Sequence, residues 1–127
     1  MYNDVAWNVR RLNKVYKQKE MKEFLVMNKV ILIAIIEHKI KEQIAQKVIN
    51  KIAPGWLWCD NYIHSTRRRK WIVWNPRFVI YTTLAKHAQF IHGEVMIHSS
   101  NTQFRLTVVY GLHTIEDRKD LWQKVKE

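Results

Sequence analysis

Polar side chains follow apolar segments at three positions where a strand of an α/β fold would end. These positions are Asn8, Glu37 and Tyr110, and open α/β folds carry their functional sites at the carboxyl ends of their strands. Glu37 comes after seven apolar residues, and an unpartnered carboxylate is costly to bury. Glu37 is therefore expected either at a solvated loop mouth or as the ligand of a cation. From the residues alone, Tyr110 is expected to be an aromatic residue that covers the end of a sheet.

Basic residues outnumber acidic ones, 22 to 11, and the formal charge of +11 attracts polyanions such as nucleic acid. Six basic residues are candidates for contact with nucleic acid: Arg10, Arg11, Arg67, Arg68, Arg69 and Lys70. The tetrad at positions 67–70 either contacts phosphates, acts as a nuclear-localisation-like patch, or forms a solvated basic loop between two strands. By itself, the charge fits either nucleic acid or an anionic membrane as the partner.

The composition argues against several other kinds of protein. With one cysteine, Cys59, the sequence offers neither an internal disulfide nor a cysteine-rich zinc site, and we expect a buried, inert thiol. The six histidines lack the paired helical spacing of metalloproteases. The longest apolar run, Val30 to Ile36, is far below the ~20 residues that span a bilayer. We therefore expect an intracellular protein of the nucleus or cytoplasm that does not contact membranes.

Two amphipathic helices and two strands are predicted in the first half of the sequence. Val5–Val9 is a short apolar strand, and Val30–Ile36 is an uninterrupted apolar run typical of a strand buried on both faces. The first helix is predicted from Lys14 to Asn28, because asparagine tolerates a left-handed cap. The second is predicted from Lys39 to Ala53. Its apolar residues recur at every fourth position: Ile40, Ile44, Val48 and Ile52.

After Pro54 the sequence becomes rich in strand-forming residues. Five strands are predicted, at Trp56–Ile63, Trp71–Trp74, Phe78–Leu84, Phe90–His98 and Phe104–Tyr110. A last amphipathic helix is predicted from Thr114. Since no repeat, linker or low-complexity segment occurs, we predict one domain over residues 1–127. The alternation of strands and helices predicts a layered α/β architecture, with a mixed sheet and flanking helices.

Four short motifs occur in an order and spacing that resemble a known family. They are Trp7–Asn13, Ile35–Lys39, Arg69–Pro76 and Val108–Gly111. Together they resemble the amino-terminal half of the endonuclease domain of plant LINE-type retroelement proteins. That domain belongs to the DNase I-like endonuclease/exonuclease/phosphatase superfamily. The resemblance covers the sequence from Val5 to about Trp122.

The resemblance implies a partial DNase I-like α/β sandwich and a set of site residues. In the family, an asparagine and a glutamate at the positions of Asn8 and Glu37 help to hold a catalytic Mg²⁺ (or Mn²⁺). A tyrosine that matches Tyr110 contacts the scissile phosphate region. His113 stands where relatives have asparagine, and Arg11 where they have glycine; an imidazole can hydrogen-bond a phosphate, but with different geometry from an amide.

The family's remaining catalytic segments do not occur in these 127 residues. They are a glycine-aspartate-phenylalanine-asparagine segment and a serine-aspartate-histidine segment, which handle the attacking water and supply the general base. We therefore expect a truncated domain with one sheet face uncovered, unless a longer protein supplies its carboxyl-terminal half. Three functions stay open: an endonuclease fragment that is inactive alone, a non-catalytic module that binds nucleic acid, and a phosphoesterase acting on a small phosphorylated substrate.

Overall fold

Seven strands and two helices make up the parts of the chain that the computed structural model describes, which are residues 3–8, 12–36, 40–62, 70–87 and 90–109. In chain order the elements are β1 (Asn3–Asn8), α1 (Val15–Met27), β2 (Val30–Ile36), α2 (Glu42–Ile52), β3 (Leu57–Asp60), β4 (Lys70–Trp74), β5 (Val79–Lys86), β6 (Phe90–Ile97) and β7 (Thr102–Val109). The predicted α/β class is confirmed. The helix predicted from Thr114 lies outside the described residues.

The strands form two sheets of different kinds. A mixed sheet has the order β1-β2-β4-β3, in which β1 is parallel to β2 and the other neighbours are antiparallel. An antiparallel sheet has the order β5-β6-β7, as expected for consecutive strands joined by short turns. The predicted mixed sheet with flanking helices is therefore present, accompanied by a second sheet.

The mixed sheet is the middle layer of three. On one face, Ile33, Ile35 and Val73 pack with residues of α1 and α2. On the other face, Ala34 and Ile72 pack with the antiparallel sheet. Because β2 touches a core on each side, its residues 30–35 are all buried, which confirms the predicted double-sided burial.

A β-bulge interrupts the alternation of β2 near its start. Asn3 lies opposite Val30 and Asp4 lies opposite Leu32, so Ile31 is an extra residue in β2. As a result, Ile31 and Leu32 both belong to the core beneath the antiparallel sheet. The Ile31 carbonyl oxygen accepts a hydrogen bond from the Asn75 backbone N–H at 2.9 Å, which ties the bulge to the chain that follows β4.

Helix α2 confirms the predicted second helix, and its buried stripe does not include Ile44. Ile44 is 44% exposed, and the buried helical residues are Ala45, Val48, Ile49 and Ile52. A four-residue repeat drifts around a helix of 3.6 residues per turn, which places Ile44 off the buried face. The buried positions instead follow the i, i+3, i+4, i+7 spacing of one helix face.

The end of α1 also differs in detail from the prediction. The helix ends before Asn28, as expected, but the Asn28 φ is −101° rather than left-handed. Lys29 adopts the left-handed conformation instead, with φ of 50°. Asn28 is held by its backbone N–H and its side-chain Nδ2, each of which donates to the Phe24 carbonyl oxygen at 3.0 Å.

Candidate functional site

The candidate site starts from the parallel pairing of β1 with β2. In this pair Asn8 lies opposite Ile36, and both residues end their strands. Ile36 in turn lies opposite Lys70, which begins β4. Asn8, Ile36 and Lys70 therefore lie side by side at one end of the mixed sheet. This row is about 10 Å wide, since neighbouring strands are roughly 4.8 Å apart.

Asn61 connects this end of the mixed sheet to the antiparallel sheet. Its side-chain Oδ1 accepts a hydrogen bond from the Lys70 backbone N–H at 2.8 Å. Its Nδ2 donates to the His87 carbonyl oxygen at 3.4 Å. His87 directly follows β5, so the Asn61 side chain bridges the two sheets from a site that is 1% exposed. The sequence carries no signal for this role of Asn61, because an isolated asparagine after a strand resembles an ordinary turn residue.

The connection continues to the end of β7. The His87 backbone N–H donates to the Phe90 carbonyl oxygen at 2.8 Å, and the His87 and Phe90 rings stack with centroids 5.2 Å apart. Phe90 lies opposite Val109, the last residue of β7. We call this end of the two sheets the rim; it comprises Asn8, Ile36, Asn61, Lys70, His87, Phe90 and Val109. The last described residues before Glu37 and before Tyr110 thus lie at the same end of the molecule.

Most of the predicted site residues lie outside the described residues. They are Glu37, Tyr110, His113, Arg10, Arg11, Arg67, Arg68 and Arg69. Asn8 lies at the rim, where its strand position but not its side chain is described. The predicted metal and phosphate contacts of these residues stay predictions.

Lys70 departs from the solvated-loop position considered for the basic tetrad. It is the first residue of β4, and its side chain is 0% exposed. The physical reason is that β4 is covered by a core on each face, so that even its first residue is enclosed. In this conformation the Lys70 ammonium is not available at the surface for contact with a phosphate. A buried ammonium requires partners inside the fold, so Lys70 contributes to the construction of the rim.

A second group of polar side chains lies between the two sheets, around Tyr81. The Tyr81 hydroxyl is buried, and within the described part of the chain it has no hydrogen-bond partner. Cys59 and Thr83 lie next to it but outside hydrogen-bonding geometry. Burial raises the pKa of Cys59 above its ordinary value of 9.0. The pKa of Tyr81 is also raised, first by burial and then by the neighbouring Cys59. Both groups are therefore neutral near pH 7, which disfavours a nucleophilic role.

The described histidines make ordinary structural contacts. His92 Nδ1 lies 2.7 Å from Thr107 Oγ1 across β6 and β7, and His87 stacks on Phe90 at the rim. Within the described ranges, no three His, Cys, Asp or Glu residues come together as a metal site. The donor pair that the resemblance implies is an asparagine and a glutamate, whose oxygens are chemically suited to Mg²⁺.

No protein-family model matches the sequence, and no curated protein matches it. Among the helices in the described residues, neither α1 nor α2 is long and apolar enough to cross a membrane.

Proposed function

We propose that the chain corresponds to the amino-terminal half of a Mg²⁺-dependent phosphodiesterase domain of the DNase I-like endonuclease/exonuclease/phosphatase superfamily. Its proposed relatives are the DNA-nicking domains of LINE-type retroelement proteins. We further propose that these 127 residues have little or no activity by themselves. The family likeness rests on the four motifs, and the site rests on the rim.

One observation carries the proposal: three separate segments that precede predicted site residues converge at the rim. Asn8 and Ile36 are neighbours in parallel strands, and Glu37 follows Ile36 directly in the sequence. Val109 reaches the same end of the molecule through Phe90, His87 and Asn61, and Tyr110 follows it directly. Segments far apart in sequence therefore end on the same side of the layered sheets, which supports the proposal because sites of α/β folds lie at strand ends.

The proposed roles follow from the chemistry of the side chains. The Asn8 amide oxygen and the Glu37 carboxylate would hold the cation, which when bound supplies positive charge beside a phosphate. The Tyr110 hydroxyl would donate a hydrogen bond to a phosphate oxygen. Arg10, Arg11 and the arginines at positions 67–69 would contact neighbouring phosphates of the DNA. His113 would occupy the position of the family's asparagine, as a weaker phosphate contact.

Metal binding tests the proposed site directly. Glu37→Ala should weaken Mn²⁺ or Mg²⁺ binding measured by titration calorimetry, because it removes the carboxylate ligand. Glu42→Ala is the matched control, since Glu42 is an exposed residue in the first turn of α2. Equal affinities for the wild-type chain and Glu37→Ala would remove Glu37 from the metal site.

A plasmid-nicking assay tests the expected lack of activity. Cleavage of a phosphodiester requires a positioned base as well as the cation, and the corresponding segments are missing from these residues. The purified chain should therefore leave supercoiled DNA intact in Mg²⁺. Metal-dependent nicking that Glu37→Ala abolishes would contradict the proposed inactivity and would support the site.

A second candidate function is a non-catalytic module that binds nucleic acid through its positive charge. The formal charge of +11 favours it. Duplex affinity should then fall steeply as salt is raised, because bound lysines and arginines release counterions from the phosphates. An affinity independent of salt would exclude this candidate.

A further inference from the structure

A cavity lies between the two helices, and neither Asn8 nor Glu37 of the proposed metal site is among its lining residues. Its volume is about 310 Å³, within the usual range for cavities that hold small ligands, ~300–1,000 Å³. Its lining residues come from both helices: Val15, Gln18, Lys19, Lys22, Asn50 and Lys51. We call this cavity the α1–α2 groove.

Three lysines of the groove are exposed and unpaired within the described part of the chain. Lys19, Lys22 and Lys51 are exposed, and among the described residues none of them forms an ion pair. Lys17 differs, because its ammonium lies 3.3 Å from the Glu20 carboxylate. Among the described residues, no acidic side chain lines the groove, so this part of the molecule presents concentrated positive charge to an incoming ligand.

The groove also contains polar amide groups. Asn50 Oδ1 accepts a hydrogen bond from Gln46 Nε2 at 2.9 Å, and the Asn50 Nδ2 hydrogens stay available as donors. Gln18 is only 7% exposed and donates from Nε2 to the Leu12 carbonyl oxygen at 2.9 Å. Its Oε1 has no partner among the described residues. Asn50 Nδ2 can therefore donate to a phosphate oxygen, whereas Gln18 Oε1 accepts and requires a donor such as a lysine ammonium of the groove, not a phosphate.

We propose that the α1–α2 groove binds backbone phosphate of nucleic acid. Lysine and asparagine side chains are typical donors to phosphate oxygens, and such contacts carry no base specificity. The described lining residues include no aromatic side chain that could stack a base, which favours the backbone over a free nucleotide. The proposed binding surface is independent of Asn8, Glu37 and the rim.

Fluorescence anisotropy with a labelled DNA duplex tests the proposal, in EDTA so that metal binding does not contribute. The groove variant carries Lys19→Gln, Lys22→Gln and Lys51→Gln. The control variant carries Lys29→Gln, Lys41→Gln and Lys47→Gln, which are exposed lysines outside the groove lining and give the same change in net charge. The groove variant should bind at least about 10-fold more weakly, and its salt slope should fall by roughly 2 to 3, at about 0.9 per lost phosphate contact. The control should lose less than about threefold.

NMR titration with inorganic phosphate distinguishes the source of the phosphate group. Amide shifts at positions 18–22 and 50–51 that match those caused by the duplex would support a backbone-phosphate site. Equal losses of duplex affinity in the groove and control variants would overturn the proposal. Shifts with inorganic phosphate but an unchanged duplex affinity in the groove variant would assign the groove to a free phosphate and also overturn it. The duplex assay contains EDTA and the groove and control variants leave Asn8 and Glu37 intact, so failure of the metal-site proposal is a separate result, read from the titration calorimetry alone.

Discussion

The mixed sheet and the antiparallel sheet bury their strands in different ways. Strand β4 is buried at all five positions, and residues 30–35 of β2 are buried as well. In β6, buried positions alternate with partly exposed ones. The mixed sheet has helices on one face and a sheet on the other, whereas the antiparallel sheet packs on the mixed sheet and turns Ile80, Thr82 and Leu84 outward with substantial exposure.

This difference shows where polar side chains can be placed at low cost. In the antiparallel sheet, the outward residues Thr82, Glu94 and Arg105 lie opposite one another across three strands. In the mixed sheet, the middle of each central strand faces two cores, so polar groups are confined to strand ends. That confinement is a physical reason for the proposed site to lie at the rim.

The largest expected effect on stability is that of an aspartate placed in the mixed sheet, compared with an aspartate placed in the antiparallel sheet. Ala34→Asp should lower the free energy of unfolding by about 4 kcal/mol or more, because it buries an unpaired carboxylate in β2. Ala85→Asp, at an exposed position of β5, should cost less than about 1 kcal/mol. Urea denaturation followed by tryptophan fluorescence measures both. Similar losses would contradict the difference in burial between the sheets.

The next effect tests close packing inside the antiparallel sheet. A Cβ added at Gly93 would overlap the Tyr81 ring, so Gly93→Ala should cost about 2 kcal/mol through overpacking. In a Tyr81→Ala background the same substitution should cost little, because the obstructing ring is gone. A double-mutant cycle gives the coupling energy, and a coupling near zero would contradict the contact.

A smaller effect, in the stabilising direction, is expected from Tyr81→Phe. The variant removes a buried hydroxyl that has no hydrogen-bond partner among residues 3–8, 12–36, 40–62, 70–87 and 90–109, while it keeps the ring beside Gly93 and Trp74. The free energy of unfolding should rise by about 1 kcal/mol, since an unsatisfied polar group costs roughly 1–3 kcal/mol. Thr82→Val on the exposed face is the control for a general gain in apolarity. A loss of stability in Tyr81→Phe would show that the hydroxyl has a partner.

The smallest expected effect is a change in the free energy of unfolding between pH 8 and 10. Burial raises the pKa of Cys59 above its ordinary value of 9.0, so the unfolded thiol ionises first as the pH rises. The contribution of the Cys59 thiol to the free energy of unfolding should therefore be complete below pH 9. It should be lost as the pH rises through the folded-state pKa of Cys59. Urea denaturation at several pH values measures the loss, which Cys59→Ala should reduce. An unchanged slope in Cys59→Ala would remove Cys59 as the cause.

Parts of the fold could be predicted because their signals are local. The seven apolar residues of β2 could be assigned to their exact limits, and Pro54-Gly55 correctly marked the end of α2, where Gly55 adopts φ of 83°. The four-residue spacing correctly indicated helix α2, but it could not show that Ile44 is exposed, because spacing alone does not fix which side of a helix meets the sheet. Lys70 was expected next to solvent, because sequence cannot show that its strand is covered twice.

The candidate site also contains residues that could be predicted from the sequence and residues that could not. The sequence identified Asn8, Glu37 and Tyr110 as residues that follow apolar segments, but it contained no sign of Asn61 as the link between the sheets. That link depends on two hydrogen bonds, to Lys70 and to His87, across 9 and 26 residues of sequence. Contacts of this kind arise from chain topology and leave no periodic pattern.

By itself, the sequence determined the positive charge, the α/β class and most strand positions, because charge and apolar periodicity are properties of neighbouring residues. The tertiary structure alone decided which strands are neighbours, that the ends of β1, β2 and β7 share one rim, and that Lys19, Lys22 and Lys51 meet between two helices. The reason is that these arrangements are set by how the layers pack, and packing brings together residues whose separation along the chain carries no information about their distance in space.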